Sequence, residues 1–274
     1  QEANNRLYMG TSQTMSVAQK LYEAGHITYM RTDGIDMAPE AISATRSVIQ
    51  DSFGNEYLPE KPRFYKNKVV NAQEAHECIR PTNIRKNAKN LNLTDLNQIK
   101  LYELIRNRTL ASQMENEVSE TTTVTLTSGK SANKLRASGR VIIFDGFRKV
   151  FNLQETEDQK GANENELPLL TEGSKIDIKS LTPNQHFTQP KPRYSEATLV
   201  KKMEELGIGR PSTYASIISV ISNRGYADIN NKRFDPQIYK YGGAFIYPLG
   251  FYYYCLDKIG LIQPILIHIS KMTD

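Results

Sequence analysis

Tyr29, Arg31 and Asp33 stand at alternate positions in the stretch "GHITYMRTDG", residues 25–34. In an extended segment that spacing puts Ile27, Tyr29, Arg31 and Asp33 on one face. A phenol, a guanidinium and a carboxylate so placed suit attack on a phosphodiester. A phenol has a pKa near 10, so only about one in a thousand is ionised at pH 7, an unfavourable equilibrium of roughly 4 kcal/mol. A nucleophilic tyrosine therefore needs neighbours that stabilise phenolate and the charge developing on the phosphoryl oxygens, and arginine is the side chain best suited to that. The ordinary alternative is a strand tyrosine at a core edge beside a surface Arg–Asp pair. With 15 tyrosines in the chain, residue type alone does not choose between them.

Other candidates surround this stretch. Gln19 and Glu23 lie at i and i+4 on a predicted helix just before it and could share its polar side, or simply be solvated. "AQEAHECIRPTN" (72–83) places His76 and Arg80 one turn apart on a predicted helical patch stopped by Pro81. The histidine could bond a phosphate oxygen or carry a proton, and the arginine could clamp the same phosphate; a structural histidine is the alternative. "GIGRPSTYASIISVISNRG" (207–225) offers Arg210, Ser212 and Thr213 at a helix start, where backbone N–H groups and the dipole suit a nucleic-acid phosphate. Arg224, Lys201 and Lys202 could widen that basic face, and an ordinary capped helix is the competing explanation. "GKS" (129–131) resembles the end of a phosphate loop, but Val124 stands where its first glycine is required. No dense carboxylate cluster of the D-x-D kind is present.

The elements that must position these residues follow from periodicity. Helices are expected over 12–24, with Gly25 as the stop, and from Pro39 to about Phe53, with Gly54 after it. A longer helix is expected from a Thr94 cap to about Met114, with Leu96, Ile99, Leu104 and Ile105 inward. From Val118 to Ser180 the chain turns Thr-, Val- and Ile-rich at short period ("SETTTVTLT", "KLRASGRVIIF", "KIDIK"), a β region interrupted by an acidic loop at 155–166. Residues 182–193 are a linker with three prolines. A helix from Ser195 turns Ala197, Val200, Met203 and Leu206 one way and stops at Gly207. Another runs from about Ser212 to Asn223, which completes a helix-turn-helix outline.

Composition leaves these options open. The 274 residues suffice for one large or several small domains, and 39% hydrophobic with 24% charged residues is ordinary for a globular chain. The net charge of +5 permits a polyanionic partner without demanding one. Cys78 and Cys255 lack C-x-x-C spacing, which argues against a disulfide framework or a zinc ribbon. The chain opens on Gln rather than Met and is read as part of something longer. The final segment, 235–274, is aromatic and nearly uncharged, but Pro248, Gly250, Asp257 and Lys258 break it up as a membrane span.

Three stretches in one order, "AQKLYEAGHITYMRTD" (18–33), "AQEAHECIRPT" (72–82) and "EATLVKKMEELGIGRPSTYASIISVISNRGY" (196–226), resemble the type IA DNA topoisomerases of bacteria. The resemblance extends over about residues 1–234. It implies that Tyr29 forms a covalent 5′-phosphotyrosyl link to one DNA strand and that Arg31 holds the scissile phosphate. Gln19, Glu23 and Asp33 would be polar neighbours, with His76 near the phosphate and Arg80 behind it. Arg210, Ser212, Thr213 and Arg224 would contact single-stranded DNA. The implied fold is multidomain α+β: a mainly helical gate domain carrying the tyrosine (1–115), a β-rich arch domain (116–185), a helical DNA-binding segment (186–234) and a divergent aromatic tail (235–274).

The implied activity is ATP-independent relaxation of negatively supercoiled DNA by single-strand cleavage, strand passage and religation. The implied cofactor is Mg²⁺, held by carboxylates of an N-terminal metal-binding domain that the resemblance places outside this sequence, so the chain alone is expected to be inactive. A monomer in the bacterial cytoplasm, at the nucleoid, with no membrane partner, completes the expectation. The tail does not match the family and is read as a frameshift or truncation. A non-catalytic DNA-binding module using 196–224, or a decayed gene product, are the competing classes.

Overall fold

Helix α2, Thr11–Glu23, buries Val17, Ala18 and Leu21 and leaves Gln19, Tyr22 and Glu23 outward. Its end is a left-handed glycine cap. Gly25 has φ +71, its N–H donates to the Tyr22 carbonyl, and the His26 N–H donates to the Leu21 carbonyl. That pair of bonds closes the helix and aims the chain toward Tyr29. Open space surrounds the position of a Cβ at Gly25, so only backbone conformation opposes a side chain there. Gly25→Ala is expected to cost about 1 kcal/mol of stability, read as a lowered melting temperature with an unchanged far-UV spectrum.

The computed structural model describes residues 1–65, 77–128, 131–151, 167–236 apart from 169, 178, 181, 189 and 231, and the strand pair 240–241 with 244–245. Before α2 comes the short α1, Glu2–Leu7; after it come α3, Pro39–Phe53, and α4, Leu96–Ser112. Proline at the first position of α3 and Gly54 after its end set its limits as expected. The N-cap of α4 is Asp95, whose carboxylate accepts the Asn97 N–H at 2.8 Å, one position later than the expected Thr94. Leu96, expected inward, is instead outward in the first turn (60% exposed), while Leu101, Tyr102, Thr109 and Leu110 face in. Ile99, Leu104 and Ile105 pack partly buried against the core of α1, α2 and α4. A second core joins α3 to the end of α4 through Val48, Ile49, Ile84, Leu110 and Met114.

Strands β1, Val118–Ser128, and β2, Ser131–Phe144, form an antiparallel ribbon as the alternation predicts. Both its faces are largely exposed, with Leu135, Val141 and Ile143 at 49%, 39% and 63%. The "GKS" stretch falls at the connection of these strands, where Gly129 and Lys130 lie outside the described residues. "KIDIK" forms no strand among its described residues. Alternation alone does not make a strand without a ladder partner, and among the described residues β1 and β2 pair only with each other. The acidic loop 155–166 and the greater part of the 235–274 tail also lie outside the described residues.

Helix α5, Glu196–Glu205, starts on a reciprocal capping box between Ser195 and Thr198. α6, Tyr214–Asn223, starts two residues later than expected. An antiparallel hairpin of β3, Ala227–Asn230, and β4, Arg233–Pro236, follows. Leu199, Val200, Met203, Ile218, Ile221, Ala227 and Phe234 make one core of all four elements. The helix-turn-helix outline therefore carries a hairpin, and β4 runs across the boundary expected at 234. No helix among the described residues is long and apolar enough to cross a membrane.

The α5–α6 unit docks on α1–α2. The Glu196 carboxylate accepts from both the N–H and the hydroxyl of Thr11, supplying from far along the sequence the cap that Gly10 cannot give α2. Ser12 and Ser219 hydroxyls meet at 3.1 Å, and Asn4 Oδ1 accepts the Ala197 N–H.

Candidate active site

Tyr29 sits on a loop, not on a strand. Only isolated bridges, Ile27 with Pro81 and Asp36 with Glu77, are formed between the loop and its neighbour. Ile27 and Met30, 1% and 3% exposed, are both driven into the core, so the residues between and after them are pushed outward. Ile27 therefore does not share a face with Tyr29, as strand alternation predicts; a buried–exposed–buried pattern of period three replaces it. Tyr29 (46% exposed) and Arg31 remain on the outer side, and Asp33 is half-buried. The Tyr29 ring meets Tyr22 edge to face, centroids 5.3 Å apart. On the same outer side of α2, Gln19 Nε2 donates to Glu23 Oε1 at 2.7 Å.

Residues 77–82 strap this loop down. The Thr28 N–H donates to the Arg80 carbonyl at 2.9 Å, and the Thr82 N–H donates to the His26 carbonyl at 3.0 Å. The Thr28 hydroxyl donates to the Cys78 carbonyl at 2.7 Å and accepts the Arg80 N–H at 2.9 Å. Further along, the Cys78 N–H donates to the Asp36 carbonyl at 2.8 Å. The strap is extended rather than helical, because its backbone groups bond to the loop instead of to one another. Arg80 does not reach outward from it. Its Nε donates to Glu77 Oε1 at 2.7 Å, Nη2 to Glu77 Oε2 at 3.1 Å and Nη1 to the Pro81 carbonyl. His76 lies outside the described residues. Burial pushes the Cys78 thiol up to about 11, so it is a packed thiol rather than a nucleophile.

Behind the loop lies a cavity of about 540 Å³, lined by Met30, Thr32 and Ile79 on one side and by Pro211, Tyr214 and Ala215 of the distant segment on the other. Burial raises the Tyr214 phenol above its ordinary value. The Glu204 charge adds to that shift, Arg210 opposes it, and Asp33 adds a smaller push. Because Met30 and Thr32 line this cavity together with Pro211, Tyr214 and Ala215, the first and third candidate stretches converge.

Within the third stretch, Arg210 and Ser212 are exposed. Thr213 is engaged locally: its hydroxyl accepts the Arg210 N–H at 2.8 Å and shapes the turn before α6. Gly209, φ +77, is held in that turn, where a Cβ would come within 2.9 Å of Ile217 Cδ1. Arg224 stands at the far end of α6, about 15 Å away by helix rise, and is not brought to Arg210. Of the basic residues beside them, Lys201 is exposed and Lys202 pairs with Glu205. The positions that sequence reasoning passed over are Thr28, Glu77 and Glu196. Only Glu77, three residues from Arg80, carried a local signal.

The loop, tied at its base by residues 77–82, presents a phenol and a guanidinium to solvent. The chain belongs to the DNA topoisomerase family, whose model matches residues 1–239. It is 50% identical over 247 residues to DNA topoisomerase 1 of Rickettsia conorii, a match covering 86% of this chain and 32% of that protein. It is 46% identical over 234 residues to DNA topoisomerase 1 of Haemophilus influenzae, covering 85% and 26%. Full-length topoisomerase I from Thermotoga maritima superposes with a TM-score of 0.69 at 36% identity, covering 86% of this chain and 38% of that one. The chain thus spans about a third of the length of these relatives.

Proposed function

We propose that this chain supplies the tyrosine-bearing gate of a type IA topoisomerase that relaxes negatively supercoiled DNA without ATP. Residues 1–115 are the gate, 116–185 the arch and 186–234 the start of a DNA-binding segment. The observation that carries this reading is the position of Tyr29, half-exposed on a strapped loop beside exposed Arg31, while its neighbours Met30 and Thr32 share a cavity with Pro211 and Tyr214.

In cleavage the Tyr29 oxygen bonds to phosphorus and the bond to the 3′ oxygen breaks. The phenol proton ends on the departing 3′ hydroxyl, and a 5′-phosphotyrosyl link remains. Arg31 neutralises charge on the non-bridging oxygens, where a guanidinium fork is worth most. The family resemblance assigns His76 to the same phosphate, while Arg80 acts from behind by holding the strap. Religation reverses these bonds, so diester energy is conserved and no nucleotide is spent. Between the two steps the gate swings open and the second strand passes.

Magnesium, which the family resemblance implies, takes oxygen ligands such as carboxylates, so the described residues bear on where it is held. No group of three or more His, Cys, Asp or Glu comes together among them, Glu23 is bonded to Gln19, and Glu77 to Arg80. The ion and its carboxylates belong to an N-terminal metal-binding portion of the longer protein, which is the partner this chain requires; alone it is inactive. The working unit is a monomer on single-stranded DNA in the bacterial cytoplasm, at the nucleoid.

The chain is mixed with the N-terminal portion of a full-length relative, Mg²⁺ and labelled single-stranded DNA, then denatured. A labelled covalent adduct is expected, and none from the chain alone. Tight duplex binding with no adduct would instead favour a regulator that reads the major groove through α6. The packing of α6 on α2 through Ser219 and Ser12 speaks against a helix free for that groove. Arg210→Ala is expected to weaken single-strand binding and to lower the slope of log affinity against log salt by about 0.7, the value for one phosphate contact.

A further inference from the structure

Both ends of the tyrosine loop are tied to one side chain. The Glu77 carboxylate accepts Nε and Nη2 of Arg80, and it also accepts the Ala38 N–H at 3.0 Å, where α3 begins. Arg80 in turn accepts the Thr28 N–H on its carbonyl and donates its own N–H to the hydroxyl of Thr28, the residue before Tyr29. Ala38 closes the far end of the same loop. Burial alone would raise the Glu77 carboxyl, but the bonds from Arg80 and Ala38 and the Arg80 charge outweigh it and hold the group below its ordinary value, so it is anionic at neutral pH. Its side chain is 32% exposed and Arg80 is 16% exposed, so the pair is largely covered at the base of the loop.

We propose that Glu77 is a positioning residue for Tyr29. By bonding Arg80 and Ala38 together it fixes the base of the loop that presents Tyr29, Arg31 and Asp33, without touching DNA. The proposal rests on the topoisomerase reading for its catalytic consequence, though not for its structural one. A phenol must sit in line with the departing oxygen, and displacement of about 1 Å by a change away from the chemistry can cost about 100-fold.

Glu77→Ala and Glu77→Gln are compared with the parent chain, each mixed with the N-terminal portion of a full-length relative. The adduct-forming rate at saturating single-stranded DNA, DNA affinity and backbone amide exchange are measured together. Glu77→Ala is expected to slow adduct formation by about 10- to 100-fold with affinity within about twofold, and to release the Thr28 and Ala38 amides to exchange. Glu77→Gln, which still accepts the Ala38 N–H and one Arg80 N–H, is expected to recover most of the rate. An unchanged rate in Glu77→Ala, or a loss of affinity equal to the loss of rate, would overturn the proposal. If the parent forms no adduct, the topoisomerase reading fails instead, and amide exchange alone decides: unaltered protection of Thr28 and Ala38 in Glu77→Ala overturns the clamp.

Discussion

Tyr29→Phe is expected to abolish covalent capture of DNA while leaving stability and DNA affinity close to the parent's. The substitution removes one oxygen from a side chain 46% exposed, and the ring that meets Tyr22 edge to face is kept. Changes of that kind at the surface move stability by about 0.5 kcal/mol or less. Chemistry has no such margin, because phenylalanine offers no atom to bond phosphorus and a covalent route cannot run without its nucleophile. Adduct on a denaturing gel, the melting temperature and the single-strand dissociation constant together check it. A persisting adduct would move the nucleophile elsewhere, with Tyr22, centroids 5.3 Å away, the first suspect.

Arg31→Ala is expected to slow cleavage by about 100- to 1,000-fold at saturating DNA, with little change in melting temperature. Arg31 is exposed and one residue past the buried anchor Met30, so it contributes little to the core. In the proposed reaction its value lies in the transition state, where charge gathers on phosphoryl oxygens within reach of a guanidinium. Arg31→Lys should restore part of the rate, since an ammonium gives the charge but not the planar fork. Single-turnover adduct formation measures both. Parent-like cleavage by Arg31→Ala would remove Arg31 from the reaction.

Much of this arrangement is legible in the sequence where local chemistry decides it. Gly25 ends α2, Pro39 and Gly54 bracket α3, and Ala197, Val200 and Met203 share the buried face of α5. Three motifs in order identify the family that the comparisons establish. The misreadings arise where tertiary contacts override local pattern. "HITYMRTD" alternates like a strand, yet burial of both Ile27 and Met30 turns it into a loop. "ECIR" (77–80) falls in an expected helical patch, yet bonds from Cys78 to Asp36 and between Arg80 and Thr28 keep it extended. Thr94 and Asp95 are both acceptable caps by type, and the bond from the Asn97 N–H to the Asp95 carboxylate marks which one is used. The Thr11–Glu196 cap joins residues too distant for any periodicity to link.

The measurement that bears most directly on Tyr29 is mass mapping of the covalent adduct. The chain, supplemented with the N-terminal portion of a full-length relative, is trapped on single-stranded DNA, digested with nuclease and trypsin, and sequenced by fragmentation. Cleavage after Lys20 and Arg31 releases one peptide, LYEAGHITYMR, that holds both Tyr22 and Tyr29. The expected result is a nucleotide joined through its 5′ phosphate to Tyr29, with Tyr22 unmodified. A nucleotide on Tyr22 or on any other residue, or a link through a 3′ phosphate, would contradict the assignment of Tyr29 as the DNA-cleaving nucleophile.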